Sequence, residues 1–166
     1  MNEFELIARL TKSLPTNQKV LVGAGDDCAV LDFGLPDQLL LFKTDAVVEG
    51  IHFTKDTPPE KIGRKALARC LSDFAAMAGT PTAAVVTIGL PEHFKPEMVV
   101  KIYDGLNALA QKHGVALADA SLRWGRLWRQ GIPYRTLLLN GVNHPDERGM
   151  KMFADSLMTL FPKNSP

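Results

Sequence analysis

The chain has 166 residues, a formal net charge of +1, and 46% hydrophobic and 22% charged residues, which is typical of a single globular domain. This balance gives no reason to expect nucleic acid or an anionic membrane as a partner. No apolar run approaches the roughly 18 residues needed to cross a membrane. The two cysteines, Cys28 and Cys70, are too few for a disulfide scaffold and fit a reducing compartment. We therefore expect a cytoplasmic protein.

The first predicted elements are one helix and two short strands. Asn2 and Glu5 have the spacing of a capping box, which predicts a helix over 3–13. Short apolar runs at 19–22 and 29–31 predict strands on either side of a turn.

A long strand and a long helix are predicted next. Residues 38–50 read as a strand followed by an acidic turn. Thr57 as cap, Pro58 as first helical residue and Glu60 predict the start of a helix that ends at Gly79. Its apolar face consists of Leu67, Cys70, Leu71, Phe74, Ala75 and Ala78.

A strand at 83–90, a second long helix at 96–113 and a strand at 115–118 follow. Together they predict an α/β (α+β) fold in which two long helices cover one mixed sheet. The sequence changes character after residue 118, where arginines cluster with the only two tryptophans; a strand at 137–139 and a helix at 146–161 are predicted there. We expect residues 1–118 to form one domain and 119–166 a divergent, truncated or frameshifted tail.

Acidic residues lie at three places along the predicted domain. Asp26 and Asp27 follow two glycines, a pattern that suits a hard cation such as Mg²⁺ or, alternatively, a solvated turn. Thr44 and Asp45 end the long strand, where Asp45 either faces a metal or caps a turn. Asp73 lies among small apolar residues, where a carboxylate is costly unless it is paired or bound to metal. An ordinary ion pair with Arg69, four residues earlier, is the alternative.

Four sequence blocks resemble the thiamine-monophosphate kinase family and follow that family's order: EFELIARL at 3–10, GAGDDCAVL at 23–31, KTDAVVEGIHF at 43–53 and KALARCLSDFAAMAGTP at 65–81. That family shares a superfamily with aminoimidazole-ribonucleotide synthetase and selenophosphate synthetase. The resemblance implies that residues 1–118 are an N-terminal Mg·ATP-binding kinase domain that pairs into a barrel in a homodimer. It implies transfer of the γ-phosphoryl group of ATP to thiamine monophosphate, giving thiamine diphosphate.

The resemblance also implies roles for single residues. The positions that match the family's Mg²⁺ ligands are Asp27, Thr44, Asp45 and Asp73. Asp27 and Asp45, with Tyr103, are expected at the nucleotide, and His52 at the substrate, although a lone histidine is often structural. Lys43 is expected to offer only its backbone oxygen. No side-chain nucleophile is needed, because the substrate phosphate itself attacks.

The chain departs from the family pattern after residue 118. Asp119-Ala120-Ser121 stands where the family has a glycine-glycine-acid segment, and the family's second domain is not recognised. Two alternatives to an active kinase therefore stay open: a truncated, non-catalytic domain that binds nucleotide or metal and dimerises, and another ATP-dependent enzyme of the superfamily.

Overall fold

The computed structural model describes residues 2–89, 95–118, 130–133 and 146–158. The chain divides into two compact units, Met1–Pro81 with Pro96–Leu109, and Thr82–Lys95 with Ala110–Pro166. The predicted strand at 137–139 and the arginine- and tryptophan-rich segment lie outside the described residues.

The first unit begins with helix α1, Glu3–Thr11. The predicted capping box is confirmed: the backbone N–H of Glu5 donates to Asn2 Oδ1 at 2.9 Å, and the backbone N–H of Asn2 donates to Glu5 Oε2 at 3.0 Å. The helix buries no residue, and Phe4 is 82% exposed. Its stability in this arrangement therefore comes from the cap and local hydrogen bonds rather than from packing.

Three short strands, β1 Val20–Val22, β2 Ala29–Leu31 and β3 Leu40–Phe42, form an antiparallel sheet in chain order. The prediction of one strand over 38–50 is wrong beyond Phe42. The partner strand β2 is only three residues long and pairs fully with β3, so the backbone after Phe42 has no strand to pair with in the described part of the chain. Its side chains bind a helix instead, as described below.

Two helices, α2 Pro59–Ala76 and α3 Pro96–His113, supply most of the core. The predicted cap of α2 is wrong: Pro58 is the N-cap residue, while Thr57 Oγ1 accepts from the backbone N–H of Thr54. The predicted end of α3 is confirmed, since Gly114 has a φ of 66°, in the left-handed region. The buried apolar residues on these helices are Ile62, Leu67, Ile102, Leu106, Leu109 and Ala110.

The backbones of α2 and α3 come close together at two glycines. A Cβ on Gly63 would lie 2.7 Å from the carbonyl carbon of Ile102, and closer still to its oxygen. A Cβ on Gly105 would lie 2.6 Å from the carbonyl carbon of Glu60. The crossing therefore depends on the absence of a side chain at both positions.

The second unit contains a parallel pair of strands, β4 Ala83–Ala84 and β5 Ala116–Leu117. The predicted strand at 83–90 is shorter than expected, and Val85 is 65% exposed rather than buried. Helix α4, Glu147–Met158, confirms the predicted helix within the described residues. Asp146 precedes it and accepts from the backbone N–H of Gly149 at 2.9 Å.

The α+β class is confirmed, but the single mixed sheet is not found among the described residues. The antiparallel strands and the parallel pair belong to separate sheets, because β3 stops at Phe42 and β4 pairs only with β5. In the described part of the chain, no helix is both long and apolar enough to cross a membrane.

Candidate functional site

The candidate site lies where the chain leaves β3 and runs along one face of α2. Lys65, Arg69 and Asp73 are spaced four residues apart on α2, so they share that face of the helix. Each of them contacts the segment 43–53 that follows β3. Two of the sequence blocks, KTDAVVEGIHF and KALARCLSDFAAMAGTP, are thereby joined by side-chain contacts.

Asp45 is held by Arg69 through a two-pronged ion pair. The guanidinium donates from Nε to Asp45 Oδ2 at 2.8 Å and from Nη2 to Oδ1 at 3.1 Å. Oδ1 also accepts from the backbone N–H of Ala46 at 2.7 Å. The Arg69 hydrogen bonds lower the pKa of Asp45, and the Ala46 N–H lowers it further, against the opposing effect of burial. Asp45 is therefore an ionised carboxylate near neutral pH.

Asp73 is paired with Lys43, with 2.6 Å between Lys43 Nζ and Asp73 Oδ2. The hydrogen bond from Lys43 to Asp73 raises the pKa of the lysine, although burial works in the opposite direction. Asp73 Oδ1 lies 3.3 Å from the hydroxyl of Ser72. The alternative prediction, an ion pair between Arg69 and Asp73, is wrong, because the segment after β3 supplies the partners of both residues.

The glycine-acid turn lies beside the same residues. Gly25 has a φ of 126°, and Asp26 Oδ1 accepts from the backbone N–H of Asp27 at 2.8 Å. The next residue, Cys28, is only 1% exposed. Burial raises the pKa of its thiol; Lys43 lowers it, and Asp73, Asp27 and Asp26 raise it further. These three carboxylates and Lys43 therefore all shift the pKa of one buried thiol.

His52 is fixed in a tight loop after Glu49. Its Nδ1 accepts from the backbone N–H of Val48 at 3.1 Å, and its carbonyl oxygen accepts from Lys65 Nζ. Gly50, with a φ of 81°, permits the turn. Because Nδ1 is an acceptor, a neutral His52 carries its proton on Nε2, which is then a hydrogen-bond donor.

The predicted magnesium ligands match the ion in chemistry but are not assembled into a cage. All four offer oxygen donors, as Mg²⁺ requires. Among the described residues, no three or more His, Cys, Asp or Glu side chains are grouped closely enough to hold a metal. Asp45 and Asp73 bind cations of the protein instead. Thr44 lies between Lys43 and Asp45 in the chain, and Tyr103 is half-buried on α3, a separate helix.

Three cations, Lys43, Arg69 and Lys65, have contacts between the segment 43–53 and α2 that were not predicted from the sequence. One available signal was the four-residue interval from Lys65 through Arg69 to Asp73, which predicts one polar helix face. A second was the position of Lys43 two residues before Asp45. Neither signal identifies the partner, which depends on how the segment after β3 lies against α2.

The structure is therefore an α+β unit in which three acid-bearing segments lie around one buried cysteine. The family model described as AIR synthase related protein, N-terminal domain, matches residues 25–121. The chain belongs to this family.

Its relatives confirm the resemblance to the N-terminal part of thiamine-monophosphate kinase. The chain is 38% identical to the thiamine-monophosphate kinase of Rhodopirellula baltica, over 68% of this chain and 37% of that protein. It is 36% identical to the thiamine-monophosphate kinase of Bacillus subtilis, over 70% of this chain and 36% of that protein. The solved complex of AaThiL with AMPPCP and TMP matches with a TM-score of 0.56 and 28% identity, over 69% of this chain and 34% of that one. The chain thus spans little more than a third of the length of these relatives.

Proposed function

We propose that the chain is the N-terminal, Mg·ATP-binding part of a thiamine-monophosphate kinase, which phosphorylates thiamine monophosphate to thiamine diphosphate with ATP. The names of the relatives support the reaction, and the AaThiL complex with AMPPCP and TMP supports both ligands. A kinase of this kind needs no nucleophile from the protein, because the substrate phosphate attacks the γ-phosphoryl group.

The observation that carries the proposal is the placement of acids from separate elements in one unit. Asp27 follows β1, Asp45 follows β3 and Asp73 lies in α2. The Lys43 ammonium group interacts electrostatically with Asp45 and Asp73, and the Cys28 thiol interacts with Asp27 and Asp73. Carboxylates on neighbouring segments position phosphates when a bound cation draws them together.

The proposed roles follow the motifs. Asp27, Thr44, Asp45 and Asp73 hold Mg²⁺, which neutralises charge on the phosphates when bound. Asp27, Asp45 and Tyr103 lie at the nucleotide. His52 donates from Nε2 to the thiamine monophosphate, and Lys65 keeps the His52 loop against α2.

A cytoplasmic homodimer is part of the same proposal. Both cysteines are free, as expected in a reducing compartment. The sheet presents apolar side chains to solvent: Leu40 is 47% exposed and Phe42 55% exposed. Pairing of two N-terminal domains into a barrel would cover such residues and remove open sheet edges.

The non-catalytic alternative is favoured by one observation, the ion pairs that Asp45 and Asp73 form with Arg69 and Lys43. It predicts binding of nucleotide and dimerisation without turnover. A different enzyme of the superfamily is distinguished by its phosphate acceptor, so binding of thiamine monophosphate to the chain separates it from the favoured function.

The deciding experiment is calorimetric titration of the chain with AMPPCP in Mg²⁺ and in EDTA. We expect binding that requires Mg²⁺ and that Asp27→Asn or Asp73→Asn weakens by at least about tenfold, the equivalent of about 1.4 kcal/mol. Asp37→Asn is the matched control, because Asp37 is an exposed loop residue with a φ of 56°, which asparagine also adopts. Equal affinity in Mg²⁺ and EDTA, or equal losses in all three variants, contradicts the proposal.

A further inference from the structure

We infer that Lys43 and Arg69 are built-in counter-cations of the acid site, which occupy Asp73 and Asp45 in the absence of metal and are displaced when Mg²⁺ binds. The inference rests on the proposed magnesium site and adds two residues that oppose metal binding.

Protein cations already contact most carboxylate oxygens of Asp45 and Asp73. Both oxygens of Asp45 accept from Arg69, and Oδ1 accepts from Ala46 as well. Oδ2 of Asp73 is in contact with Lys43, and Oδ1 lies 3.3 Å from the Ser72 hydroxyl. Three of the four oxygens of the two acids thus contact a protein cation, while the Ser72 hydroxyl donates its one proton to the Arg69 carbonyl oxygen at 2.7 Å.

Mg²⁺ and the two protein cations need the same carboxylate oxygens. Mg²⁺ demands oxygen ligands at about 2.0–2.1 Å in near-octahedral geometry. A guanidinium or ammonium group in contact with the same carboxylate oxygens occupies ligand positions and repels the ion. The Asp45 and Asp73 side chains are only 17% and 20% exposed, so water screens this repulsion incompletely. Metal and counter-cation therefore compete for the same oxygens.

The protein's cations neutralise only part of the negative charge of the acids. Asp45 and Asp73 each have one cation, whereas Asp26 and Asp27 have no ion-pair partner among the described residues. The site therefore keeps a residual negative charge that attracts a divalent cation. Lys43 interacts with Asp45 as well as Asp73, so one lysine acts on both acids.

The test is titration of the chain with MgCl₂ alone, at low ionic strength, for the wild type, Lys43→Met and Arg69→Met. We expect each variant to bind Mg²⁺ about fivefold more tightly than the wild type, the gain from removing a competing ion pair of about 1 kcal/mol. Lys43→Arg keeps the charge and should bind as the wild type does. Lys101→Met removes a lysine paired at 3.8 Å with Glu60 at the helix crossing, and controls for net charge.

A second measurement follows the displacement directly. In the wild type, the Nε–H resonance of Arg69 should shift and exchange faster with water as Mg²⁺ saturates the site. Saturation without any change at Arg69, or variants that bind Mg²⁺ no more tightly than the wild type, overturns the inference while leaving the proposed magnesium site intact. Absence of Mg²⁺ binding in the wild type and in both methionine variants overturns the site and the inference together. Binding only in the variants supports the inference, because the cations then mask the site completely.

Discussion

Replacing Gly63 or Gly105 with alanine should destabilise the protein, although alanine is the better helix former. Alanine in a helix interior is favoured over glycine by about 0.8–1 kcal/mol. At Gly63, however, the new Cβ would lie 2.7 Å from the carbonyl carbon of Ile102, and at Gly105 it would lie 2.6 Å from that of Glu60. These are backbone atoms of the facing helix, so relief requires α2 and α3 to move apart. Overpacking of a core costs about 1–3 kcal/mol.

Because a whole helix must shift, we expect the upper part of that range and a net loss of about 2 kcal/mol in the free energy of unfolding for each variant. For a chain of this size, that loss corresponds to a fall in Tm of roughly 4–8 °C. The double variant should lose less than the sum of the two single losses, since one separation of the helices relieves both clashes. Urea unfolding followed by far-ultraviolet circular dichroism measures all three values.

Gly23→Ala is the control, because its Cβ would meet only Val20 Cγ1, at 3.8 Å. Its stability should stay within about 0.5 kcal/mol of the wild type. If Gly63→Ala and Gly105→Ala were as stable as the wild type, or gained the helix-propensity increment, the close crossing of α2 and α3 would be refuted.

Three further predictions concern a helix cap, a tautomer and the activity of the chain. The backbone N–H of Gly149, and then Arg148, lower the pKa of Asp146 below its usual 3.8, so its cap on α4 is complete above that pH and is lost as the pH falls through the lowered value. The protection of the α4 amides, measured as exchange rates relative to the intrinsic rate at each pH, should fall on acidification in the wild type but not in Asp146→Asn, and an equal fall in both contradicts this. Neutral His52 should carry its proton on Nε2, because Nδ1 accepts from Val48; long-range ¹H–¹⁵N spectra of the imidazole check it, and a proton on Nδ1 would exclude the described loop. The 166-residue chain alone should turn over thiamine monophosphate far more slowly than ~1 s⁻¹, the lower end of typical enzymes, because it spans little more than a third of the length of its relatives. A rate of ~1 s⁻¹ in a coupled assay at saturating Mg·ATP contradicts this prediction.

The helices were predictable because their signals are local. The capping box at Asn2 and Glu5, the apolar spacing of α3 and the terminating Gly114 each depend on residues within one or two helical turns. The cap of α2 was mispredicted because Pro58 and Pro59 adjoin, and either proline fits the first turn. The resemblance predicts acids of the candidate site, whereas their partners were not predictable, since Arg69 and Asp45 are 24 residues apart in the chain.

The error in β3 and the missed cations have one physical cause. Apolar residues run from Leu39 to Phe42 and resume at Ala46, so the sequence pattern favours a strand. Beyond Phe42, however, a strand would lack a partner, while Lys43 and Asp45 have oppositely charged residues available on α2. Charge-assisted contacts to α2 provide partners for the side chains at the point where the sheet offers none to the backbone. The contacts that end the strand are therefore the same contacts that pair Asp45 with Arg69 and Asp73 with Lys43, and a substitution that breaks them should alter the backbone of 43–53 and the proposed cation affinity together.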